Sequence, residues 1–287
     1  MIRGSLVALV TPFLRDGSVD FKRLDALVDW QIASGTDGIV PCGTTGEAVT
    51  LSATERFQVV QRVVRRAHGR VPVFAGTGSN STEAAVALTR DARRAGADAA
   101  LVVTPYYNKP SQQGLFLHYR RIAREGGLPI VLYNVPSRTA VTLAPETTAR
   151  LSGVRGIVAT KEAAGMDSAS KVMGLCGLPV LCGDDALTVP MMALGAQGVI
   201  SVVANLLPGM VKAEVSAALK GNWLEARVMH FRLQPLVEAC FWESNPIPAK
   251  FMLARMGKTG PTVREPLCAP SPAVAKRLLE AMRLFGL

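Results

Sequence analysis

Eight short apolar segments, separated by amphipathic segments, constrain the fold of this chain more than any other sequence feature. The apolar segments span residues 5–10, 38–43, 71–76, 99–105, 129–136, 156–164, 179–185 and 198–205. Their length and composition are typical of buried strands. Between the first two, Leu24, Leu27, Val28 and Ile32 recur at the spacing of one buried helix face. Strands and helices that alternate eight times predict an α/β fold, a (β/α)8 TIM barrel, with a doubly wound sheet as the alternative.

The sequence after Asn205 contains no further strand pattern. It is typical of helices that are interrupted at residues 221–222, 245–248 and 258–270. We therefore predict two parts, with the barrel strands and the catalytic site in residues 1–206. Residues 207–287 would form the last barrel helix and a C-terminal helical extension. We expect this extension to pack on the barrel without catalytic groups of its own.

The cysteines and histidines indicate neither disulfides nor a metal site. The 5 cysteines are widely spaced without a CxxC pair, and the 3 histidines show no pair at ligand spacing. With 49% hydrophobic and 19% charged residues, the chain can bury a large core, so disorder is not expected. We predict an enzyme that uses no metal and no cofactor.

The formal net charge of +10 could attract nucleic acid, but the basic residues are dispersed. Their densest group, Arg62, Arg65, Arg66 and Arg70, falls at helical spacing without interleaved aromatic residues, which is typical of a solvated helix face. The charge-free stretch 186–211 is interrupted by prolines and glycines, so we expect no membrane span. Because the first residues do not form a secretory signal, we expect a cytoplasmic location.

Lys161 is the polar residue that most needs an explanation, because it lies near the end of the sixth apolar segment. A buried ammonium is unfavourable, and partial burial lowers the pKa of an amine. The neutral amine is the nucleophile that attacks a ketone to form a Schiff base. From this segment alone, a lysine that reaches solvent past the end of its strand is an equally good interpretation.

The other strand ends carry residues suited to such chemistry, since barrel enzymes react at the carboxyl ends of their strands. In the turn Gly43–Glu47, backbone N–H groups and the hydroxyls of Thr44 and Thr45 could hold a carboxylate. The fifth segment carries Tyr133, a phenol that could move protons beside a Schiff-base lysine. Arg138 follows in a loop, where its guanidinium could bind a carboxylate through two hydrogen bonds.

Each of these residues also has an ordinary structural interpretation. The turn could simply lead into a helix, Tyr133 could pack in the core, and Arg138 could be a solvated surface arginine. The acidic pair Asp184 and Asp185 could suggest a metal, but no histidine or third carboxylate lies nearby in the sequence. We therefore expect these two residues to cap a helix and order a loop.

Seven motifs taken together resemble the dihydrodipicolinate synthase family of pyruvate-dependent class I aldolases, a superfamily that includes N-acetylneuraminate lyase. They are GTTGE at 43–47, TPYYNKPSQ at 104–112, YNVPSRT at 133–139, KEAAG at 161–165, GDD at 183–185, GVISVVAN at 198–205 and NPIP at 245–248. The resemblance covers essentially the whole chain. It implies condensation of pyruvate with L-aspartate 4-semialdehyde to 4-hydroxy-tetrahydrodipicolinate, the first committed step towards diaminopimelate and lysine.

The resemblance also implies roles for individual residues. Lys161 would form the imine with pyruvate, Tyr133 would relay protons, and the loop of Thr44 and Thr45 would hold the pyruvate carboxylate. Arg138 would bind the carboxylate of the semialdehyde.

Further implied roles concern the pocket walls and the assembly. The backbones around Gly183 and Ile200 would line the pocket. Thr44 would link Tyr133 to Tyr107 from the neighbouring subunit, so the site would need at least a tight dimer. The family norm is a homotetramer, a dimer of dimers.

Two alternative functions remain at this stage. A sister class I aldolase would cleave a sialic acid or a 2-keto-3-deoxy sugar acid, but Arg138 and the pair Tyr106–Tyr107 favour the synthase. A non-catalytic ligand-binding barrel is disfavoured by the intact set of Lys161, Tyr133, Thr44 and Tyr107.

One local departure from the family predicts weak or absent feedback inhibition by lysine. Lysine-inhibited relatives place a Glu where this chain has Ala84, and Glu83 is one position away. One helical position is a rotation of about 100°, so Glu83 should face elsewhere. Arg56 would add repulsion between like charges.

Overall fold

A computed structural model describes residues 2–287 and shows eight parallel strands. They are β1 (Gly4–Ala8), β2 (Gly38–Val40), β3 (Phe74–Gly76), β4 (Ala99–Val103), β5 (Ile130–Asn134), β6 (Ile157–Glu162), β7 (Val180–Cys182) and β8 (Gly198–Ser201). Each predicted apolar segment overlaps one strand, which confirms the prediction, and only β1 begins one residue before its segment. Most strands end before their apolar segment does, because the last buried residues already belong to the loops that follow.

The strand order β2-β1-β8-β7-β6-β5-β4-β3 closes into a barrel between β2 and β3. Pairing at this junction is limited to a parallel bridge between Ile39 and Val73. The N–H of Ile39 donates to the carbonyl of Pro72 (3.0 Å), and the N–H of Gly76 donates to the carbonyl of Pro41 (2.9 Å). This closure confirms the (β/α)8 barrel and excludes the doubly wound sheet, which has two open edges.

Within residues 2–287, twelve α-helices cover the barrel and form the C-terminal part. They are α1 (Phe21–Ala33), α2 (Ala53–Ala67), α3 (Thr82–Arg94), α4 (Gln112–Glu125), α5 (Pro136–Thr139), α6 (Pro145–Ser152), α7 (Met166–Leu175), α8 (Thr188–Ala193), α9 (Pro208–Leu219), α10 (Trp223–Ala239), α11 (Ile247–Arg255) and α12 (Pro272–Arg283). Capping residues fix where some of these helices begin. Ser52 and Glu55 form a capping box at the start of α2, and Ser271 is the N-cap of α12.

The strands separate two apolar layers. One fills the space between strands and helices, and the other fills the barrel interior with residues such as Leu6, Val40, Leu101 and Leu181. Because side chains alternate along a strand, Tyr133 of β5 points into the interior with its neighbours Val131 and Val135. Tyr133 therefore lies on the inner face of the barrel.

Within residues 206–287, the structure contains helices and loops but no strand. The predicted interruptions 221–222 and 258–270 lie in the loops between these helices, whereas the interruption 245–248 includes the first two residues of α11. Helix α9 packs on β1, and α12 packs on α10 and α11. These helices therefore continue from the barrel wall into a layer packed beside it.

Three residues of the predicted arginine-rich group, Arg62, Arg65 and Arg66, lie on α2, whereas Arg70 follows the end of this helix. Aspartates of α1 partly neutralise the group. Arg62 pairs with Asp25, and Arg66 and Arg70 pair with Asp29. All three arginine side chains remain about half exposed. In residues 2–287, no helix is long and apolar enough to cross a membrane.

Candidate active site

Lys161 and Tyr133 form a pair inside the barrel, at the carboxyl ends of β6 and β5. The two residues lie opposite each other in the register of these strands. The Nζ atom of Lys161 lies 4.1 Å from the centre of the Tyr133 ring. Only 5% of Lys161 and 6% of Tyr133 are exposed to solvent. Lys161 is therefore held in the interior, and the interpretation of a lysine that reaches solvent is wrong.

A cavity of about 570 Å³ opens above this pair at the carboxyl end of the barrel. Its walls include six of the residues named from the sequence, namely Thr44, Thr45, Tyr133, Arg138, Lys161 and Gly183. A narrower cavity of about 280 Å³ shares Thr44, Tyr133 and Arg138 and reaches Arg56 and Tyr106. The fold thus gathers strand ends that are far apart in sequence around one amine.

Gly183 gives the lysine side chain the room that it occupies. A Cβ atom at this position would lie 3.0 Å from the Cε atom of Lys161 and 2.8 Å from the Cβ atom of Ala163. Contacts this short would displace the lysine or the loop that follows it. Glycine at position 183 therefore belongs to the geometry of the site.

Two of the named residues lie apart from the cavity walls. Tyr107 is 88% exposed and has a φ of +76°, a left-handed conformation that is unusual for a bulky residue. Ile200 belongs to the apolar interior of the barrel, and Val202, two residues further on, reaches the cavity wall. Within one chain, the structure does not bring Tyr107 to Lys161.

The C-terminal part contributes to the cavity, which the sequence analysis did not foresee. Asn245 lies in the wall together with Phe241 and Ser244. The Nδ2 atom of Asn245 donates a hydrogen bond of 2.9 Å to the hydroxyl of Thr45, and both residues are buried. The NPIP motif that starts at Asn245 is the sequence signal that could have indicated this contact.

Behind the pair, the outward-facing neighbours of Tyr133 and Lys161 also contact each other. Asn134 donates through Nδ2 to Glu162 Oε1 at 3.1 Å, and the N–H of Ala164 donates to the same oxygen at 2.8 Å. Burial raises the pKa of Glu162 to about 7, although these hydrogen bonds oppose the shift. A titrating carboxyl therefore ties β5 to β6 directly behind the two inward-facing side chains.

The acidic pair after β7 orders the loops, as the sequence predicts. Asp184 accepts a hydrogen bond from the N–H of Ala186, and Asp185 accepts from the Ser201 hydroxyl and from the N–H of Val202. Throughout residues 2–287, no three His, Cys, Asp or Glu side chains are placed to hold a metal ion.

Glu83 lies on α3, where its carboxylate pairs with Arg121 of α4. The Oε2 atom of Glu83 and the Nη2 atom of Arg121 are 2.5 Å apart. Ala84, the next residue, lies in the first turn of the same helix, where its N–H donates to the side chain of the N-cap residue Ser81. Glu83 is therefore engaged with α4, in agreement with the rotation that the helix imposes between neighbouring positions.

A barrel that holds a lysine beside a tyrosine at the carboxyl ends of its strands has the arrangement of a Schiff-base enzyme of the aldolase class. The chain belongs to the dihydrodipicolinate synthetase family, whose family model matches residues 1–282.

Individual relatives extend over the full chain. A 4-hydroxy-tetrahydrodipicolinate synthase of Geotalea daltonii is 53% identical over 290 aligned positions, which cover 100% of both chains. The crystal structure of dihydrodipicolinate synthase from Aquifex aeolicus is 45% identical, with a TM-score of 0.98 over 100% of this chain and 99% of that one. The chloride-inhibited enzyme of Acinetobacter baumannii, solved in complex with pyruvate, is 44% identical, with a TM-score of 0.98 over 100% and 99% of the two chains.

We predict that Glu162→Gln will change how stability depends on pH. The folded state holds the Glu162 proton more tightly than the unfolded chain, since its pKa rises from 4.5 to about 7. The wild type should therefore lose stability relative to the variant as the pH rises through this range, by on the order of 1–3 kcal/mol. Thermal unfolding of both proteins across this range measures the difference.

Glu146→Gln is the matched control, because it makes the same chemical change at an exposed position. The thermal stability of this variant should depend on pH in the same way as that of the wild type. A Glu162→Gln curve parallel to that of the wild type would contradict the assigned titration.

Proposed function

We propose that this chain catalyses the Schiff-base condensation of pyruvate with L-aspartate 4-semialdehyde, which yields 4-hydroxy-tetrahydrodipicolinate. The observation that carries the proposal is the buried amine of Lys161 beside Tyr133 at the floor of the cavity. Full-length relatives named 4-hydroxy-tetrahydrodipicolinate synthase support the same activity, which is that of a lyase in lysine and diaminopimelate biosynthesis. The pyruvate complex of the Acinetobacter enzyme supports pyruvate as a substrate.

In the proposed reaction, the neutral amine of Lys161 attacks C2 of pyruvate and water leaves to form an imine. Loss of a proton from C3 gives the enamine, whose C3 attacks the aldehyde carbon of the semialdehyde and forms the new carbon–carbon bond. The amino group of the semialdehyde then displaces Lys161 from the imine carbon. The ring closes in this step and the lysine is released unchanged.

Tyr133 is proposed to carry the protons that these steps require. Its ring covers the lysine amine, so its hydroxyl belongs to the same cavity as the reacting carbon. Carbinolamine formation and dehydration need a proton delivered and removed within hydrogen-bond reach. Thr44, in the wall of the same cavity, is proposed to relay protons to Tyr133.

The turn of Thr44 and Thr45 is proposed to hold the pyruvate carboxylate through its hydroxyls and backbone N–H groups. The backbones at Gly183 and around Ile200 are proposed to form the opposite wall. Arg138, an exposed residue at the cavity mouth, is proposed to bind the carboxylate of the semialdehyde through its planar guanidinium.

Tyr107 is proposed to act in the site of a neighbouring subunit. Its exposure and left-handed backbone place a strained tyrosine on the outer surface of its own chain, and such strain is commonly kept for a functional reason. We propose a homotetramer, a dimer of dimers, in which this residue completes the relay through Thr44. Exposed leucines at positions 175 and 194 offer apolar surface that a further interface would cover.

Two further proposals follow from the sequence. Residues 1–206 would form the catalytic unit, and residues 207–287 the last barrel helix and the extension. The cytoplasmic location stays a prediction. The alternatives of a sugar-acid aldolase and a non-catalytic barrel are not favoured by the full-length relatives.

We predict that borohydride in the presence of pyruvate will attach one reduced three-carbon unit to Lys161. Reduction traps only an imine, and Lys161 is the amine at the floor of the cavity. Peptide mapping by mass spectrometry locates the modification. Lys161→Arg should abolish trapping, since a guanidinium stays protonated, whereas Lys212→Arg should not. An adduct on another lysine of active enzyme would contradict the mechanism.

We predict that Tyr133→Phe and Arg138→Ala will fail at different steps. Loss of the phenol should lower kcat by roughly 10²- to 10⁴-fold and slow imine formation. Loss of Arg138 should raise the KM for the semialdehyde while pyruvate trapping persists. Steady-state kinetics together with borohydride trapping separate the two. An equal loss of pyruvate trapping in both variants would show that the role assigned to Arg138 is wrong.

We predict that lysine, the pathway end product, will leave the initial rate nearly unchanged. An ammonium without a carboxylate partner costs roughly 1–3 kcal/mol, and Glu83 is already paired with Arg121. Initial rates at fixed pyruvate and saturating lysine test this. Ala84→Glu should increase the inhibition by supplying the missing carboxylate. Strong inhibition of the wild type would contradict the prediction.

A further inference from the structure

The turn Gly43–Glu47 is joined to the C-terminal part by an ion pair that is closed off from solvent. Lys250 of α11 places its Nζ atom 2.6 Å from Oε1 of Glu47. The Lys250 side chain is 0% exposed and the Glu47 side chain 1%. The second carboxylate oxygen of Glu47 accepts the backbone N–H of Arg264 at 2.8 Å, so both oxygens are engaged.

Two further residues of the turn are held by hydrogen bonds from distant segments. Asn245 donates to the Thr45 hydroxyl at 2.9 Å, and the Thr11 hydroxyl donates to the carbonyl of Gly46 at 2.7 Å. Three consecutive positions of the turn are therefore bonded to groups from other segments of the chain. Such contacts leave the turn little freedom to change shape.

Stability alone does not account for the pair. Two charges removed from water lose more hydration than their attraction returns unless the geometry is good, and apolar replacements are often as stable. Burial lowers the pKa of Lys250 to about 8, although the attraction of Glu47 opposes this. Glu47 also has a φ of +53°, a left-handed conformation that a residue with a side chain adopts only when its surroundings hold it.

We propose that Glu47 and Lys250 are positioning residues that hold the Thr44–Thr45 turn in the shape that receives the substrate carboxylate. The inference rests on the proposed function, because it takes this turn as the carboxylate site. Lys250 is absent from the cavity walls and acts through Glu47 and the turn. The C-terminal part would thereby set the affinity of the barrel for its keto acid.

The test measures the pyruvate concentration at half-maximal borohydride trapping, which needs no second substrate. Lys250→Met, which keeps the length of the side chain, should raise this concentration roughly 10-fold or more, while the maximum extent of trapping is retained. Glu47→Gln removes the charge and keeps an oxygen acceptor for only one of the two partners, so it should also raise this concentration. The double variant Glu47→Gln with Lys250→Met contains no unpaired buried charge, so it keeps the test valid if Lys250→Met does not fold.

Lys212→Met is the matched control. Its ammonium lies 2.5 Å from the Asp37 carboxylate, which precedes β2 at the opposite end of the barrel. This variant should lose some thermal stability, and its half-maximal concentration should stay within about 2-fold of the wild-type value. Such a result separates positioning of the turn from general destabilisation.

The outcomes distinguish this inference from the proposed function. Wild-type protein that pyruvate and borohydride do not modify would overturn both. Trapping in the wild type with an unchanged half-maximal concentration in folded Lys250→Met, or in the folded double variant, would overturn the positioning role alone. An equal shift in Lys212→Met would do the same.

Discussion

The burial of one amine inside an apolar barrel is the constraint on which the rest of this structure depends. Lys161 sits in the interior layer that Leu181 and Val131 also form, where an ammonium is poorly solvated. The strand register places it opposite Tyr133, at the level where the interior opens into the cavity. The amine is thus shielded on the barrel side and open to the cavity on the other, which suits a nucleophile that a substrate must reach.

The neighbouring contacts preserve this placement. Gly183 leaves space beside the lysine side chain, and the Asn134–Glu162 contact joins the same two strands on their outer face. Across the cavity, the turn that carries Thr44 and Thr45 is anchored from the C-terminal helices. Strand alternation explains the arrangement, because each of the two strands directs one side chain to the cavity and the next to the layer behind the sheet.

Much of this could be predicted from the sequence, because the decisive signals are local. Apolar segments of strand length determine the eight strands, and two-residue alternation places Tyr133 on the inner face. The prominence of Lys161 follows from its place near the end of an apolar segment of strand length. Capping residues such as Ser52 and Ser271 could be recognised because their partners lie three positions away.

Contacts between distant segments could not be predicted in this way. Glu47 and Lys250 are 203 positions apart, and nothing in their local sequences shows that both are buried or that they meet. The helical pattern of the C-terminal part indicated where its helices break but not that Asn245 reaches the cavity. For Tyr107, the sequence motif indicates a role that one chain does not show. This residue is exposed, and its proposed partner lies on another chain.

A crystal structure of the protein soaked with pyruvate would test the central claim most directly. The account predicts continuous electron density from Nζ of Lys161 to C2 of pyruvate, with the pyruvate carboxylate on the hydroxyls and N–H groups of Thr44 and Thr45. Pyruvate bound elsewhere, or bound in the cavity without a bond to Lys161, would contradict it.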